Sequence, residues 1–357
     1  MTFDDKNFID DETINRMKEN HILNKGDVLF TNIGSQLGNC AIYNSDEKAI
    51  ITWNVMKLIP NEKILKEYMC YLLNYNSKSI RQLNSSSTMP FVSGKELMNF
   101  EMEVPDIEWQ TKSIKILSNI NRKIELNNQI NDNLYEITNK LYEQLFIKER
   151  QETWKEYNFQ ELADFYNGYS YSGKELVDNS NVGMATIKNF ERKGGFKEDG
   201  FNAIEPLKAK DIHYAEKFDI LVACTDLTQN ADIIGNAIML LNTGKYKDIV
   251  ISMDLVKIIP KRNKYLIYSI LNSAEFKNFA LGYKTGTTVL HLNKDCLKDF
   301  NIKLPDSNVI EKFEKIVEIN YKTISSNLEE NNTLINLRDT LLPKLMNGEI
   351  YLGKIEI

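Results

Sequence analysis

The sequence predicts an α+β fold: two β-rich bodies in tandem repeat, each followed by one long helix, with the two helices packed as an antiparallel coiled coil. Three observations carry that expectation. First, the chain repeats itself at an offset of 200 residues: NVMKLIP ends at Pro60 and DLVKIIP at Pro260, FEMEVPD (100–106) matches FNIKLPD (300–306), and SSSTM (85–89) matches TGTTV (285–289). Second, residues 108–148 contain neither proline nor glycine and carry apolar residues at steps of three and four, the spacing of one helix face. Third, the stretches before each helix are short apolar runs punctuated by glycine, asparagine and serine, a pattern of strands and turns.

Bulk properties narrow the class. A chain of 357 residues accommodates two domains, and 42% hydrophobic with 26% charged residues is ordinary globular composition. No run approaches the roughly 18 apolar residues of a membrane span. The start, MTFDDKNFIDDE, is acidic and lacks the apolar core of a signal peptide. Cys40, Cys70, Cys224 and Cys296 are far apart, and with only three histidines no metal-ligand spacing appears. Four reduced thiols in a cytoplasmic protein are expected, with no cofactor and no metal. A net charge of −6 leaves room for a local basic surface, which is what phosphate contact needs.

In chain order, strands are expected at Val28–Ile33, Cys40–Tyr43, Ile50–Pro60 and Phe100–Pro105. In the second copy they fall at Met184–Ile187, Asp219–Cys224, Ile238–Leu241 and Ile249–Pro260. One amphipathic helix per copy spans 62–83 and 264–283. KGDVLFTNIGSQLGNCAIY (25–43) corresponds to the longer KFDILVACTDLTQNADIIGNAIML (217–240). The first long helix offers an apolar seam of Leu117, Ile120, Ile124, Ile130, Leu134, Ile137, Leu141 and Leu145. The second offers Phe313, Val317, Ile324, Leu328, Leu334, Leu337 and Leu341, with Asn308 and Glu311 placed as a capping box. About 40 helical residues extend about 60 Å. Near the end, TLLPKLMNGEI (340–350) puts Pro343 inside the leucine pattern. Proline removes an N–H and clashes with the preceding turn, so the helix is expected to stop or bend there and tuck Leu345 and Met346 against the first helix or the N-terminal body.

Chemistry-bearing motifs are missing from the sequence. It contains no Pro-Pro pair of an adenine methyltransferase loop, no phosphate-binding GxxxxGK[ST] loop and no GxSxG elbow. The two Pro-Asp pairs, 105–106 and 305–306, recur at strand-to-helix junctions, where Asp offsets unpaired helix N–H groups. The loops instead suit nucleic acid. RQLNSSSTM (81–89) carries Arg81, Ser86, Ser87 and Thr88, and its counterpart in 280–290 carries Lys284, Thr285, Thr287 and Thr288, hydroxyl and basic groups fit for phosphate oxygens. FYNGYSYSGKELV brings Tyr169, Ser170, Tyr171 and Lys174; IKNFERKGG brings Lys188, Asn189, Arg192 and Lys193. ACTDLTQN brings Thr225, Asp226, Thr228 and Gln229, matched in the first copy by Thr31, Asn32, Ser35 and Gln36. Interleaved aromatic, amide and basic groups are what reading of base edges requires. Any one of these loops alone is an ordinary solvated turn; together they form a candidate reading head on each body.

The chain resembles the specificity (S) subunit of type I restriction–modification systems. The resemblance rests on Gly26-Asp27-Val28-Leu29 and Phe218-Asp219-Ile220-Leu221, on the junctions at Pro105 and Pro305 with Gln110 just after, and above all on LLPKLMNGEI. It implies two target-recognition domains, at 1–105 and 151–305. Spacer helices lie at 106–150 and 306–347, with a tail at 348–357. It also implies a non-catalytic, DNA-binding protein that reads one half of a bipartite double-stranded DNA site with each domain. Methyltransferase subunits dock on the helices, and a restriction subunit joins through the complex. One departure stands out: about 39 residues of the second body have no counterpart in the first. Two other readings remain open here, a truncated or silent solitary DNA-binding relative and a coiled-coil protein-binding scaffold.

Overall fold

The computed structural model describes residues 9–17, 21–83, 89–192, 194–226, 228, 231–287 and 289–350. The chain forms two compact units, one of Met1–Ile124 with Thr333–Ile357 and one of Glu125–Asn332. Both long helices contribute to both units.

In the first unit the apolar run Val28–Thr31 is the central strand, paired antiparallel with Cys40–Ile42 on one side and Val55–Leu58 on the other. The strand expected over Ile50–Pro60 is interrupted by a turn at Trp53-Asn54, so Ala49–Ile50 pairs instead with Ile22–Leu23. The helix expected over 62–83 divides into Lys66–Tyr75 and Ser77–Gln82. Asn76 ends the first of these, its side-chain amide donating to Leu72 O at 2.8 Å. Val28, Phe30, Leu37, Met69, Leu73 and Ile80 form the core between sheet and helices. Phe100–Pro105, expected as a strand, has no ladder partner among the described residues.

The opening of the first long helix, Ile107–Tyr142, is fixed in this unit by Gln110. Its fully buried amide donates to Lys63 O and Pro105 O, both at 2.8 Å, and accepts from Leu65 N at 2.7 Å. Asp106 Oδ1 accepts from Trp109 N at 2.8 Å, the helix-start role expected of the Pro-Asp pair. The second long helix, Ser307–Met346, runs through Pro343 rather than stopping at it. It ends three residues later, Asn347 N donating to Pro343 O and Gly348 taking φ +68°. Its end is held by burial: Leu345 and Met346 pack with Tyr68, Leu72 and Leu117, and the Trp109 indole N–H donates to Leu345 O at 3.0 Å. That contact set offsets the conformational cost of a proline one turn from a helix end, and it tucks the tail against the first helix and the N-terminal body as expected.

The second unit repeats the plan with more strands. Ile220–Ala223 is central, flanked by Ala237–Met239 and Leu255–Pro260, and Ala163–Asn167 adds to the far side of Leu255–Pro260. Asp248–Ile251 pairs with Tyr214–Ala215 and, in parallel, with Val182–Ala185, whose other edge takes Asn202–Ala203. Asn301–Leu304 pairs with Lys155–Asn158. The expected helix over 264–283 is again two, Lys264–Leu271 and Ala274–Leu281. The repeat extends to ion pairs. Lys57 meets Asp27 at 2.6 Å and donates to Ile22 O, while Lys257 meets Asp219 at 2.7 Å and donates to Tyr214 O. The preceding residue, Gly26 in one copy and Phe218 in the other, has positive φ in both, 88° and 71°.

The helix pairing corrects the expected seam. Ile130 and Ile137 are exposed in the second unit and Leu337 in the first. In the second unit Phe313, Val317 and Ile324 of the expected seam are buried, and so are Asn127, Asn131, Thr138, Asn320 and Asn331. Buried amides need partners, and here they bond one another. Asn127 Nδ2 donates to Asn331 Oδ1 at 2.9 Å, Asn327 Nδ2 to Asn131 Oδ1 at 2.8 Å, Asn331 Nδ2 to Asn128 Oδ1 at 2.8 Å and Asn320 Nδ2 to Thr138 Oγ1 at 3.0 Å. Rising numbers on one helix meet falling numbers on the other, so the helices are antiparallel. The first long helix does not stay α-helical to 148; Glu143–Lys148 widens into a π turn that sets Phe146 against Phe313, ring centroids 5.0 Å apart. The Asn308–Glu311 box is not the cap of the second helix: Asp306 Oδ1 accepts from Asn308 N at 3.0 Å.

Candidate nucleic-acid interface

In the second unit the central strand leaves the sheet at Cys224 and continues as Thr225–Asp226, which pairs with Leu290–Leu292; that strand pairs in turn with Lys284–Thr285. His291 lies opposite Thr225 on one side and Thr285 on the other. Two loops 60 residues apart in sequence thus form one three-stranded sheet. Gly286 permits its turn: φ is +95° and a Cβ would lie 2.3 Å from Val289 O. Lys284, Thr285 and Thr287 are exposed, while Thr225 is buried.

Asp226 is buried and organises the next loop. Its carboxylate accepts from Thr228 N, Thr228 Oγ1 and Ile233 N, each at 2.8 Å. Burial works against its charge, but those hydrogen bonds and the Lys277 ammonium outweigh it and hold the carboxyl below its ordinary pKa. Lys277 closes the other foot of the loop, donating to Asp232 O at 3.1 Å, Ile234 O at 2.6 Å and Asn236 Oδ1 at 2.5 Å.

A cleft of about 770 Å³ joins this loop to the one after Thr186; Lys188, Arg192 and Lys197 line it with Asp226 and Thr228. Fully buried Asn189 holds the wall. It accepts from Thr186 N at 2.9 Å and donates to Lys197 O at 2.9 Å, which leaves Lys188 and Arg192 exposed. The Tyr169–Lys174 loop does not line this cleft. Tyr169 is buried, its hydroxyl donating to Glu175 Oε2 at 2.6 Å and accepting from Lys208 N at 3.1 Å. The Tyr169 hydroxyl and the N–H groups of Ser172 and Leu207 push Glu175 down to a pKa of about 2. Ser170 and Lys174 are exposed beside them, and Tyr171 is half-buried.

The first unit brings its two loops together at the same strand end. Ile33 bridges Phe91, Val92 N donates to Asn32 O at 2.9 Å, and Gly34 N donates to Pro90 O at 2.9 Å. Arg81 Nε donates to Leu37 O at 2.6 Å. Ser35 and Gln36 are exposed, and Thr31 and Asn32 are buried. Ser86, Ser87, Thr88, Lys193, Gln229 and Thr288 lie outside the described residues. Thr31, Asn32, Tyr169, Asn189, Thr225 and Asp226 are thus side chains inside the fold, and the outward-facing groups are their neighbours. The sequence reading missed Lys197 and Lys277, which stand in no motif and act through tertiary contacts. It also missed Trp53, 76% exposed at the turn beside Asn54, whose carbonyl accepts from Asn32 N; a tryptophan at a turn was the available signal. Among the described residues no His, Cys, Asp or Glu cluster could hold a metal, and no helix is long and apolar enough to cross a membrane.

Residues 6–136 match the type I restriction modification DNA specificity domain. Beyond that segment, the chain is similar to type I specificity subunits along nearly its whole length. It is 24% identical to the MjaIX specificity subunit of Methanocaldococcus jannaschii, over 94% of this chain and 80% of that one. It is 25% identical to the HindI specificity subunit of Haemophilus influenzae, over 92% of this chain and 87% of that one. Its fold is that of the type I restriction–modification S subunit from M. genitalium: TM-score 0.55 at 17% identity, covering 90% of this chain and 83% of that structure.

Proposed function

We propose that this chain is the sequence-recognition subunit of a cytoplasmic type I restriction–modification complex, non-catalytic by itself. In this reading residues 1–105 and 151–305 each read half of a bipartite site in duplex DNA. The observation that carries it is the equivalence of the loops: 30–38 with 89–92 in one copy, and 225–228 with 284–292 in the other, joined at the same strand end. In the second copy the cleft sets Lys188, Arg192 and Lys197 among Glu191, Asp199 and Asp226, a mixed donor and acceptor lining suited to base edges. Lys284, Thr285 and Thr287, with Arg81, Ser86, Ser87, Thr88 and Thr288 in the matching positions, are assigned to the backbone. Lys188, Arg192, Lys193, Thr228 and Gln229 are assigned to base edges, with Ser35 and Gln36 in the first copy. Ser170, Tyr171 and Lys174 form a second edge of the same head.

The spacer helices, 106–150 and 306–347, are the docking surface for methyltransferase subunits, through which a restriction subunit joins. Apolar side chains left exposed on them, Ile130, Ile137, Ile316, Ile319 and Leu337, support that role. The helices also set the gap between half-sites. Four residues inserted after Lys140 add about 6 Å and should lengthen the unread gap by one or two base pairs, given about 34–36 Å per turn of DNA.

The test is a mobility shift on duplex DNA over a salt series, made with the complex. Lys284→Ala should weaken binding on all sequences and lower the salt slope by about one unit, whereas Arg192→Ala should relax preference at particular positions. No salt-dependent DNA binding would leave a protein-binding scaffold as the better reading. The pure chain with S-adenosylmethionine and DNA should transfer no methyl group, and measurable transfer would refute the non-catalytic assignment.

A further inference from the structure

Each body carries one large apolar side chain at the tip of an equivalent turn. The turns are Thr52-Trp53-Asn54 and Ser252-Met253-Asp254. Both close in the same way, Val55 N donating to Thr52 O at 3.1 Å and Leu255 N to Ser252 O at 3.0 Å. The outer residues of each turn are a hydroxyl residue and an Asn or Asp, which are ordinary turn formers. The middle residues are not, and they face water: Trp53 is 76% exposed and Met253 is 53% exposed.

A lone exposed apolar side chain is commonplace; position sets these two apart. In the first unit Asn54 O accepts from Asn32 N at 3.2 Å, so the turn adjoins the 30–38 loop, whose Ser35 and Gln36 are exposed. In the second unit Asp254 O accepts from Cys224 N at 2.7 Å, one residue before Thr225. Met253 N donates to Tyr169 O at 2.9 Å, and Ser252 N donates to Ala185 O at 2.9 Å, one residue before Thr186. Gly168 permits this convergence, because a Cβ there would lie 2.0 Å from Ser252 O. The loops 168–174, 186–192 and 225–228 thus spring from one turn, and Met253 is its tip.

We propose that Trp53 and Met253 are the apolar base contacts of the two heads, Trp53 in one half-site and Met253 in the other. Bases present apolar surface as well as hydrogen-bonding edges, namely the thymine methyl group and the ring faces. An exposed tryptophan or methionine leaves apolar area in water, and covering it against such a surface is favourable. The polar loops beside each tip bond the base edges, and the tip packs on the bases between them. The inference rests on the DNA-reading function proposed above. It adds that part of the specificity is set by side chains with neither charge nor an edge-reading hydrogen bond.

The test uses the full chain assembled with methyltransferase subunits and a randomised duplex DNA library, with the bound fraction sequenced. Trp53→Ala should erase preference at positions confined to one half-site, and Met253→Ala at positions confined to the other. Each should lower affinity for the selected site by about five- to hundredfold. Neither change removes a charge, so non-specific affinity and the salt slope should stay as they are without the substitution. Trp53→Phe and Met253→Leu should restore most of the affinity. Both positions are exposed, so the alanine variants keep their fold, checked by an unchanged melting temperature. If the unsubstituted assembly selects a bipartite site and both alanine variants select the same site with equal affinity, this inference fails and the DNA-reading function stands. If the unsubstituted assembly selects no sequence, the DNA-reading function fails and this inference with it. A loss spread equally over all sequences would also overturn it, because the contact is then not to bases.

Discussion

Replacing Leu345 with alanine tests where the C-terminal helix end belongs. Leu345 is fully buried, and Tyr68, Leu72 and Leu117 around it are each at most 3% exposed. Those neighbours come from the helix Lys66–Tyr75 and from the first long helix, both anchored by other contacts, so the hole cannot close easily. Leu→Ala in such a place costs about 2.7–5 kcal/mol, and about 3 kcal/mol is expected here. For a unit of about 150 residues this lowers the melting temperature by about 6–12 °C. Residues 333–357 group with 1–124, so the loss should fall on the first unit and spare the second. Calorimetry paired with hydrogen exchange resolves the two: amides of 28–31 and 66–75 should lose protection while those of 220–223 and 255–260 keep theirs. Trp109, whose indole N–H donates to Leu345 O, adds a fluorescence signal. A loss under about 1 kcal/mol, or equal loss in both units, would refute the assignment of this helix end to the first core.

The Asn331→Leu substitution removes one acceptor of Asn127 Nδ2, which keeps Glu330 Oε2, and the donor to Asn128, and should cost about 0.5–1.5 kcal/mol. Adding Asn127→Leu should restore part of that loss, a non-additivity measured by a double-mutant cycle. Glu175 is held down at about 2 from an ordinary 4.5, so the stability it contributes is complete above pH 4.5 and is lost as pH falls towards 2. Glu175→Gln should therefore lower stability at neutral pH by that contribution and flatten the acid limb of the profile in that window. Lys277→Met removes three donated hydrogen bonds from the 232–236 segment and should speed exchange at Ile233 and Gly235 with little change at Ile220–Ala223.

The sequence by itself determined the architecture, because repetition and periodicity are one-dimensional properties. The offset of 200 placed Pro105 and Pro305 and both long helices, and the looser match upstream placed the Asp27 and Asp219 strand starts, which reappear with equivalent ion pairs to Lys57 and Lys257. What only tertiary structure decided is which residues on those elements are buried, since burial depends on the facing partner. Ile130 and Ile137 fit an apolar stripe and are exposed; Asn127, Asn131 and Asn331 do not fit it and are buried, because their amides pair across the two facing helices. Pro343 signals a helix stop to any local rule, yet the helix continues for three residues because Leu345 and Met346 gain more by packing on Tyr68 and Leu117. The candidate interface divides in the same way. Loop composition marked the segments around Lys188, Thr225 and Lys284. Their convergence, and the inward turn of Asn189 and Asp226, came from a three-stranded sheet and a half-buried Lys277 that bring together residues remote in sequence.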